Sequence, residues 1–177
     1  MTLSFRVALA LALACQAPKV SPEVAESCPR GAPEPLLDKA AADVRHARFE
    51  RRGAEAQETV ALAGGQRWQV RHWGCESYAL SITLSLPAGA GEPSLDDTLL
   101  AAATHLREVH QQTAALRLGE VADVLAALAA GTDPPAWGQP TPFGNLDGMT
   151  QTLTLPQAPT RSADATELRL DLQIGPL

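Results

Sequence analysis

The side chains best equipped for chemistry cluster in His72-Trp73-Gly74-Cys75-Glu76. A His and a Cys three positions apart can share a metal ion, but zinc takes three or four protein ligands, and no second ligand pair stands out in the chain. No metal and no cofactor are therefore expected. His105 and His110 are five apart, so on a helix their side chains point about 140° from one another and cannot hold one ion together. His105 and Glu108 share a helical face and are expected to make a solvent-facing contact. Nucleophilic catalysis would need a Ser or Cys on a sharp turn with a His base. Gly-x-Ser-x-Gly, His-Glu-x-x-His and a phosphate-cradling Gly-x-x-x-x-Gly-Lys are all absent. Asp133, Asp147, Glu167 and Asp171 could supply a carboxylate pair, but nothing in their spacing selects two of them. The chain reads as non-catalytic, with catalytic residues none.

Binding candidates are more numerous. In one reading Gly74 permits a bend, Cys75 enters a disulfide and Trp73 packs over it. In another, His72, Trp73 and Glu76 form part of a recognition surface at a strand end. The segment from Thr132 to Gly148 carries Pro134, Pro135, Pro140 and Pro142 together with Trp137 and Phe143, and reads as a long loop. Such loops are often functional, and large aromatics are enriched at the energetic centres of interfaces. Trp137 and Phe143 are therefore binding candidates, the alternative being that both rings pin the loop to the domain. A second candidate is the hydroxyl-bearing face of Ser77, Ser81, Ser85, Thr150, Thr152 and Thr154. The basic cluster of Arg45, Arg48, Arg51 and Arg52 reads as a solvated face.

The first residues carry a separate signal. Met1 to Arg6 contain one positive charge, and Val7 to Ala14 contain only Val, Ala and Leu. This is the layout of a secretory signal, and the apolar run is shorter than the roughly 18 residues a permanent span needs. Leu11-Ala12-Leu13-Ala14-Cys15 resembles the lipobox of bacterial lipoproteins. The resemblance covers this segment alone, and Ala12 stands where Leu is commonest. It implies cleavage after Ala14 and lipid on Cys15, and two or three acyl chains anchor a protein stably. A signal cut by small-x-small specificity at Ala12-Leu13-Ala14 is the alternative. Gln16 lacks the Asp associated in some bacteria with inner-membrane retention, which favours the outer membrane.

Of three cysteines, one is left over in an oxidising compartment. With Cys15 lipidated, Cys28 and Cys75 remain as a pair, and closing a loop of about 48 residues stabilises a fold by roughly 4 kcal/mol on the chain-entropy model. Removal of residues 1–14 takes away Arg6 and leaves 13 basic against 20 acidic side chains. Nucleic acid and anionic lipid surfaces select for basic faces, so neither is expected as the main partner. The 12 arginines against Lys19 and Lys39 point to a GC-rich genome and to no function.

The elements that must position these residues follow from periodicity. Residues 15–34 contain Pro18, Pro22, Pro29 and Pro33 without an apolar period, and read as a tether. Residues 35–177 read as one domain. Over 36–52 the spacing fits a helix through Leu36, Leu37, Ala40, Ala41, Val44 and Ala47, while Arg45 to Arg52 fits an edge strand with Phe49 inward; the pattern leaves both open. Gly64-Gly65 between alternating segments signals a hairpin. Tyr78, Leu80, Ile82, Leu84 and Leu86 alternate with Ser77, Ala79, Ser81, Thr83 and Ser85. Met149, Leu153 and Leu155, then Leu168, Leu170, Leu172 and Ile174, do the same, as in an antiparallel sheet with one face wet. Ser94 with Asp97 opens a helix whose face runs through Leu95, Leu99, Ala102, Leu106, Val109 and Thr113. Val121, Val124, Leu125 and Leu128 trace a second, with Gly131 as its cap. The expected fold class is α+β, a two-layer sandwich in which an antiparallel sheet has one face covered by two or three helices.

These features together suggest a non-catalytic envelope lipoprotein, held on the membrane through its lipid anchor and facing the periplasm. Its domain would bind another envelope or secreted protein, one version being an inhibitor or immunity protein against a cell-wall-targeting enzyme. A structural scaffold of an envelope assembly, and a periplasmic enzyme using His72 and Glu76, are the alternatives.

Overall fold

The computed structural model describes residues 31–37, 41, 43–75, 77–88, 93–111, 118–131, 133–146 and 148–175. Four strands follow one another as β1 (Val44–Arg52), β2 (Glu55–Leu62), β3 (Arg67–Trp73) and β4 (Tyr78–Pro87). Two helices come next, α1 (Leu95–His110) and α2 (Leu118–Ala130). Then come β5 (Pro140–Leu146), β6 (Met149–Thr154), the short β7 (Thr160–Arg161) and β8 (Ala165–Ile174). All eight strands join one sheet in the order β1-β2-β3-β4-β8-β6-β5, with β7 pairing to β8. Every pairing is antiparallel. The C-terminal strand thus lies at the middle of the sheet, between the first meander and the late hairpin.

Side-chain alternation accounts for the central strands. Leu80, Ile82, Leu84 and Leu86 of β4 and Leu168, Leu170 and Leu172 of β8 are buried. Ile82 stands opposite Leu170 and Leu84 opposite Leu168, so the cross-strand pairs that stabilise a sheet are apolar on one face. The intervening Ser81, Thr83, Ser85, Glu167 and Arg169 stay at least partly accessible. The turn from β2 to β3 is the hairpin expected at Gly64-Gly65: Gly65 adopts φ +86°, a conformation that glycine adopts without steric cost.

Ser94 caps α1 with a reciprocal capping box, its hydroxyl receiving the Asp97 amide and the Asp97 carboxylate receiving the Ser94 amide. The apolar stripe of α1 is buried at Leu99, Ala102, Leu106 and Val109, and that of α2 at Leu118, Val121, Ala122 and Leu125. These side chains belong to the same apolar cluster as Trp68, Val70, Leu80, Ile82, Leu168 and Leu170 of the sheet. The fold is α+β, dominated by one antiparallel sheet.

Two expectations are resolved or revised. Residues 44–52 form a strand, β1, with Phe49 half-buried. The span from Thr132 to Gly148 is not a loop throughout, because β5 pairs with β6 along it. Proline lacks the amide a central strand must donate, so Pro140 and Pro142 concealed a strand that lies at the sheet's edge, where no such donor is needed on the outer side. A register shift between Pro142 and Gly144 marks the same site. The signal segment, Cys15, Cys28 and most of the tether lie outside the described residues, as do Thr113 and Glu76.

Candidate functional site

Sheet register assembles a polar face that no single segment of sequence displays. Thr59 stands opposite Gln69, Gln69 opposite Thr83, and Thr83 opposite Arg169. The adjacent row runs Gln57, Arg71, Ser81 and Asp171. These positions have the opposite parity to the core residues, so their side chains leave the sheet on the other side. A groove of about 350 Å³ lies over them, lined by Gln57, Thr59, Gln69, Arg71, Ser81, Thr83 and Arg169 along with Glu58 and Val70. Trp73 continues the outward series of β3 and is 37% exposed. Its Nε1 donates to Ser81 Oγ at 3.2 Å, which places the indole at the groove's rim.

The charges of this face are internally compensated. Arg71 bonds Glu55 through Nε and Nη2 at 3.3 and 3.0 Å, and Arg169 bonds Asp171 at 3.2 and 3.3 Å. Arg48 pairs with Glu50. Exposed pairs of this kind contribute about 0–1 kcal/mol, so their importance is in fixing which donors and acceptors face outward. The groove is a field of amide, hydroxyl and guanidinium groups suited to hydrogen bonding.

On the inward face a separate network centres on two buried groups. Glu58 is 2% exposed and His72 fully buried. The Glu58 carboxylate accepts the amides of Leu36, at 2.7 Å, and Leu37, at 3.1 Å. His72 Nε2 lies 3.5 Å from Glu58 Oε2, within ion-pair range but without an aligned hydrogen bond. Tyr78 Oη is 3.3 Å from His72 Nδ1. Phe49 meets the imidazole edge-on, with centroids 5.7 Å apart. The carboxylate supplies acceptors to two buried amides of a segment outside any helix or strand, which would otherwise lack partners. This is the arrangement of a clasp, with Leu36 and Leu37 buried beneath it.

A third polar contact crosses from sheet to helix. Trp68 Nε1 donates to His105 Nε2 over 2.7 Å. His105 is buried, and that burial holds its imidazole below the usual histidine range, against a smaller upward pull from Glu108. Glu108 Oε2 is 3.9 Å from His105 Nδ1. The expectation that His105 meets Glu108 in solvent is corrected: only Glu108 is exposed, because His105 lies on the core side of α1 with Ala102 and Leu106.

The sequence-derived candidates are therefore dispersed. His72 and Trp73 leave opposite faces of β3 and cannot share one recognition surface. Trp137 and Phe143 are half-buried against the core cluster rather than displayed. Ser81 lines the groove, whereas Thr152 is buried. Cys75 is disulfide-bonded, and Cys28, its expected partner, lies outside the described residues. Gln57, Thr59, Gln69, Arg71 and Arg169 were missed as groove residues, since only strand order brings them together. Among the described residues no group of three or more His, Cys, Asp or Glu is placed to hold a metal, and no helix is long and apolar enough to cross a membrane. No protein-family model, curated protein or solved structure matches the chain.

Proposed function

We propose that this chain is a lipid-anchored, non-catalytic protein of the bacterial envelope whose α+β domain binds another macromolecule. One concrete version is an inhibitor or immunity protein against a cell-wall-targeting enzyme. The observation that carries the binding reading is the groove on the open sheet face, with donors and acceptors from four strands and Trp73 at its rim. Tryptophan at such a position provides a large rigid contact with one polar handle. His72, the most chemically versatile side chain of the central cluster, is sealed in the interior.

The finer architecture belongs to the same reading. The helix pair forms the second layer of a two-layer sandwich, covering the apolar face and leaving the groove open. The shared apolar cluster and the Trp68 to His105 bond support it. The anchor rests on the lipobox-like segment ending in Cys15, and the bridge on pairing of Cys28 with Cys75.

The test uses the full chain in its native membrane. Mass spectrometry of the N-terminal peptide should show diacylglyceryl on Cys15 and a Cys28 to Cys75 link. Cross-linking in intact cells should then recover one stoichiometric partner, lost on Trp73→Ala or Thr83→Lys with the far-ultraviolet circular dichroism unchanged. Undiminished recovery from both folded variants would remove the groove from the binding site. An unlipidated Cys15 would remove the anchor.

A further inference from the structure

Strand β1 is an outer edge of the sheet, pairing with β2 alone among the described residues. One alternate set of its amides and carbonyls therefore faces away from β2. The opposite outer edge, β5, is blunted by Pro140, Pro142 and a register shift, whereas β1 runs for nine residues without proline. Charge distinguishes it further. Four of the chain's 14 basic side chains, Arg45, Arg48, Arg51 and Arg52, fall within β1 against the single acid Glu50, although the whole chain carries net charge −6. Arg48 is paired with Glu50, and among the described residues no ion pair engages Arg45, Arg51 or Arg52.

Basic edge residues commonly protect a sheet from pairing with its own kind, and here they weigh against a second copy as occupant. Two β1 strands paired antiparallel about Arg48 would set Arg45 against Arg51 and Arg48 against its own copy, which is destabilising; pairing about Phe49 sets Arg48 against Glu50 but still brings eight arginines and only two glutamates to one seam. The same charges favour a strand of opposite sign. The faces of β1 specify more: His46, Arg48, Glu50 and Arg52 share the outward parity, while Ala47, Phe49 and Arg51 have the inward parity, Ala47 and Phe49 being half-buried and Arg51 exposed. We propose that β1 is a docking edge for an extended segment of a partner protein in which acidic and apolar residues alternate. Main-chain bonds add the segment as a ninth strand, carboxylates meet the arginines outside, and apolar side chains extend the core past Phe49. This inference stands independently of the groove.

The probe is an acetylated, fluorescently labelled eight-residue peptide alternating Glu and Val, titrated against the full chain in detergent by anisotropy. Binding is expected, weakening at least tenfold from 50 to 300 mM salt. A Lys/Val control should not bind. N-methylation of one alternate set of peptide amides should cost at least tenfold, and of the other set little. The triple variant Arg45→Glu, Arg48→Glu, Arg52→Glu should bind at least tenfold more weakly while retaining its circular dichroism, and Thr83→Lys in the groove should leave peptide affinity unchanged. Lack of binding at millimolar peptide would overturn the proposal. So would binding equally tolerant of N-methylation in both sets, since that would reduce the edge to a simple anion attractor.

Discussion

Trp68 and His105 are joined by a hydrogen bond of 2.7 Å from the indole Nε1 to the imidazole Nε2, and this bond fixes the protonation state of the histidine. An indole nitrogen can only donate, so Nε2 must present a lone pair and the ring's proton must sit on Nδ1, toward Glu108. Protonating Nε2 would break the bond in the interior. Burial acts in the same direction, holding His105 below its ordinary value of 6.5. The folded protein therefore binds a proton here less readily than the unfolded chain does. Stability from this site is fully present above about pH 6.5 and is lost as pH falls from there through the lowered folded value. Urea midpoints should thus decline between pH 7.5 and 5.5. His105→Gln, which can still accept from Trp68 but cannot titrate, should show a shallower decline over that interval. Equal declines in both proteins would place the acid sensitivity elsewhere.

Glu58 should prove structural rather than catalytic. Glu58→Leu leaves the buried amides of Leu36 and Leu37 without their acceptor, and each orphaned buried group costs roughly 1–3 kcal/mol. A total of about 3 kcal/mol is expected, with Glu58→Gln retaining part of it because its amide oxygen can still accept. Amide exchange separates this local role from a general loss of stability: Leu36 and Leu37 should exchange faster by a larger factor than the β4 and β8 amides do. Uniform acceleration throughout the sheet would argue against a clasp.

Particular residues show what could be read before the fold was known. The alternation in β4 and β8 was legible because apolar residues on one side and hydroxyls or charges on the other leave a single workable orientation. The α1 start was legible because Ser94 and Asp97 complete their capping box locally. Glu58 was open to the same logic: Ala56, Glu58, Val60 and Leu62 share one parity, so any strand burying Val60 carries the carboxylate inside with it. His105 was misplaced because a polar side chain on a core stripe needs a distant partner, and Trp68 is 37 positions away. The β5 strand was hidden by its prolines. The groove required the register of four strands, including one from the far end of the chain, which periodicity does not provide.

Ser94 offers a check on helix capping that does not disturb the core. Its hydroxyl and amide both hold the Asp97 side chain, and these bonds keep that carboxyl below the ordinary aspartate value of 3.8, the hydroxyl contributing most. For a carboxylate with a depressed folded value, stability is present above about pH 3.8 and is lost as pH falls through the lowered value. Ser94→Ala should cost about 1 kcal/mol, the usual effect of removing an N-cap hydroxyl. It should also move the Asp97 titration, followed by side-chain NMR, back toward the ordinary value. A destabilised variant with an unmoved Asp97 would mean that the cap acts through the backbone alone.

Gly74 ties the end of β3 to the disulfide cysteine that follows it, and its backbone admits no side chain. It has φ +79°, a region in which a Cβ is strained, and a Cβ there would stand 2.4 Å from the Ser77 carbonyl oxygen. That oxygen belongs to the backbone entering β4, so it cannot swing aside as a flexible side chain would. Relief requires the turn itself to open, which would shift Cys75 and the pairing of Trp73 with Ala79. Gly74→Ala should therefore destabilise the domain by more than about 2 kcal/mol, combining the positive-φ penalty with the clash. Gly138→Ala provides the comparison, because Gly138 also has φ +74° but nothing lies within 4 Å of its Cβ position. It should show only the conformational part, about 1 kcal/mol. Similar losses in the two variants would mean that the turn at Gly74 yields and that the contact with Ser77 does not constrain it.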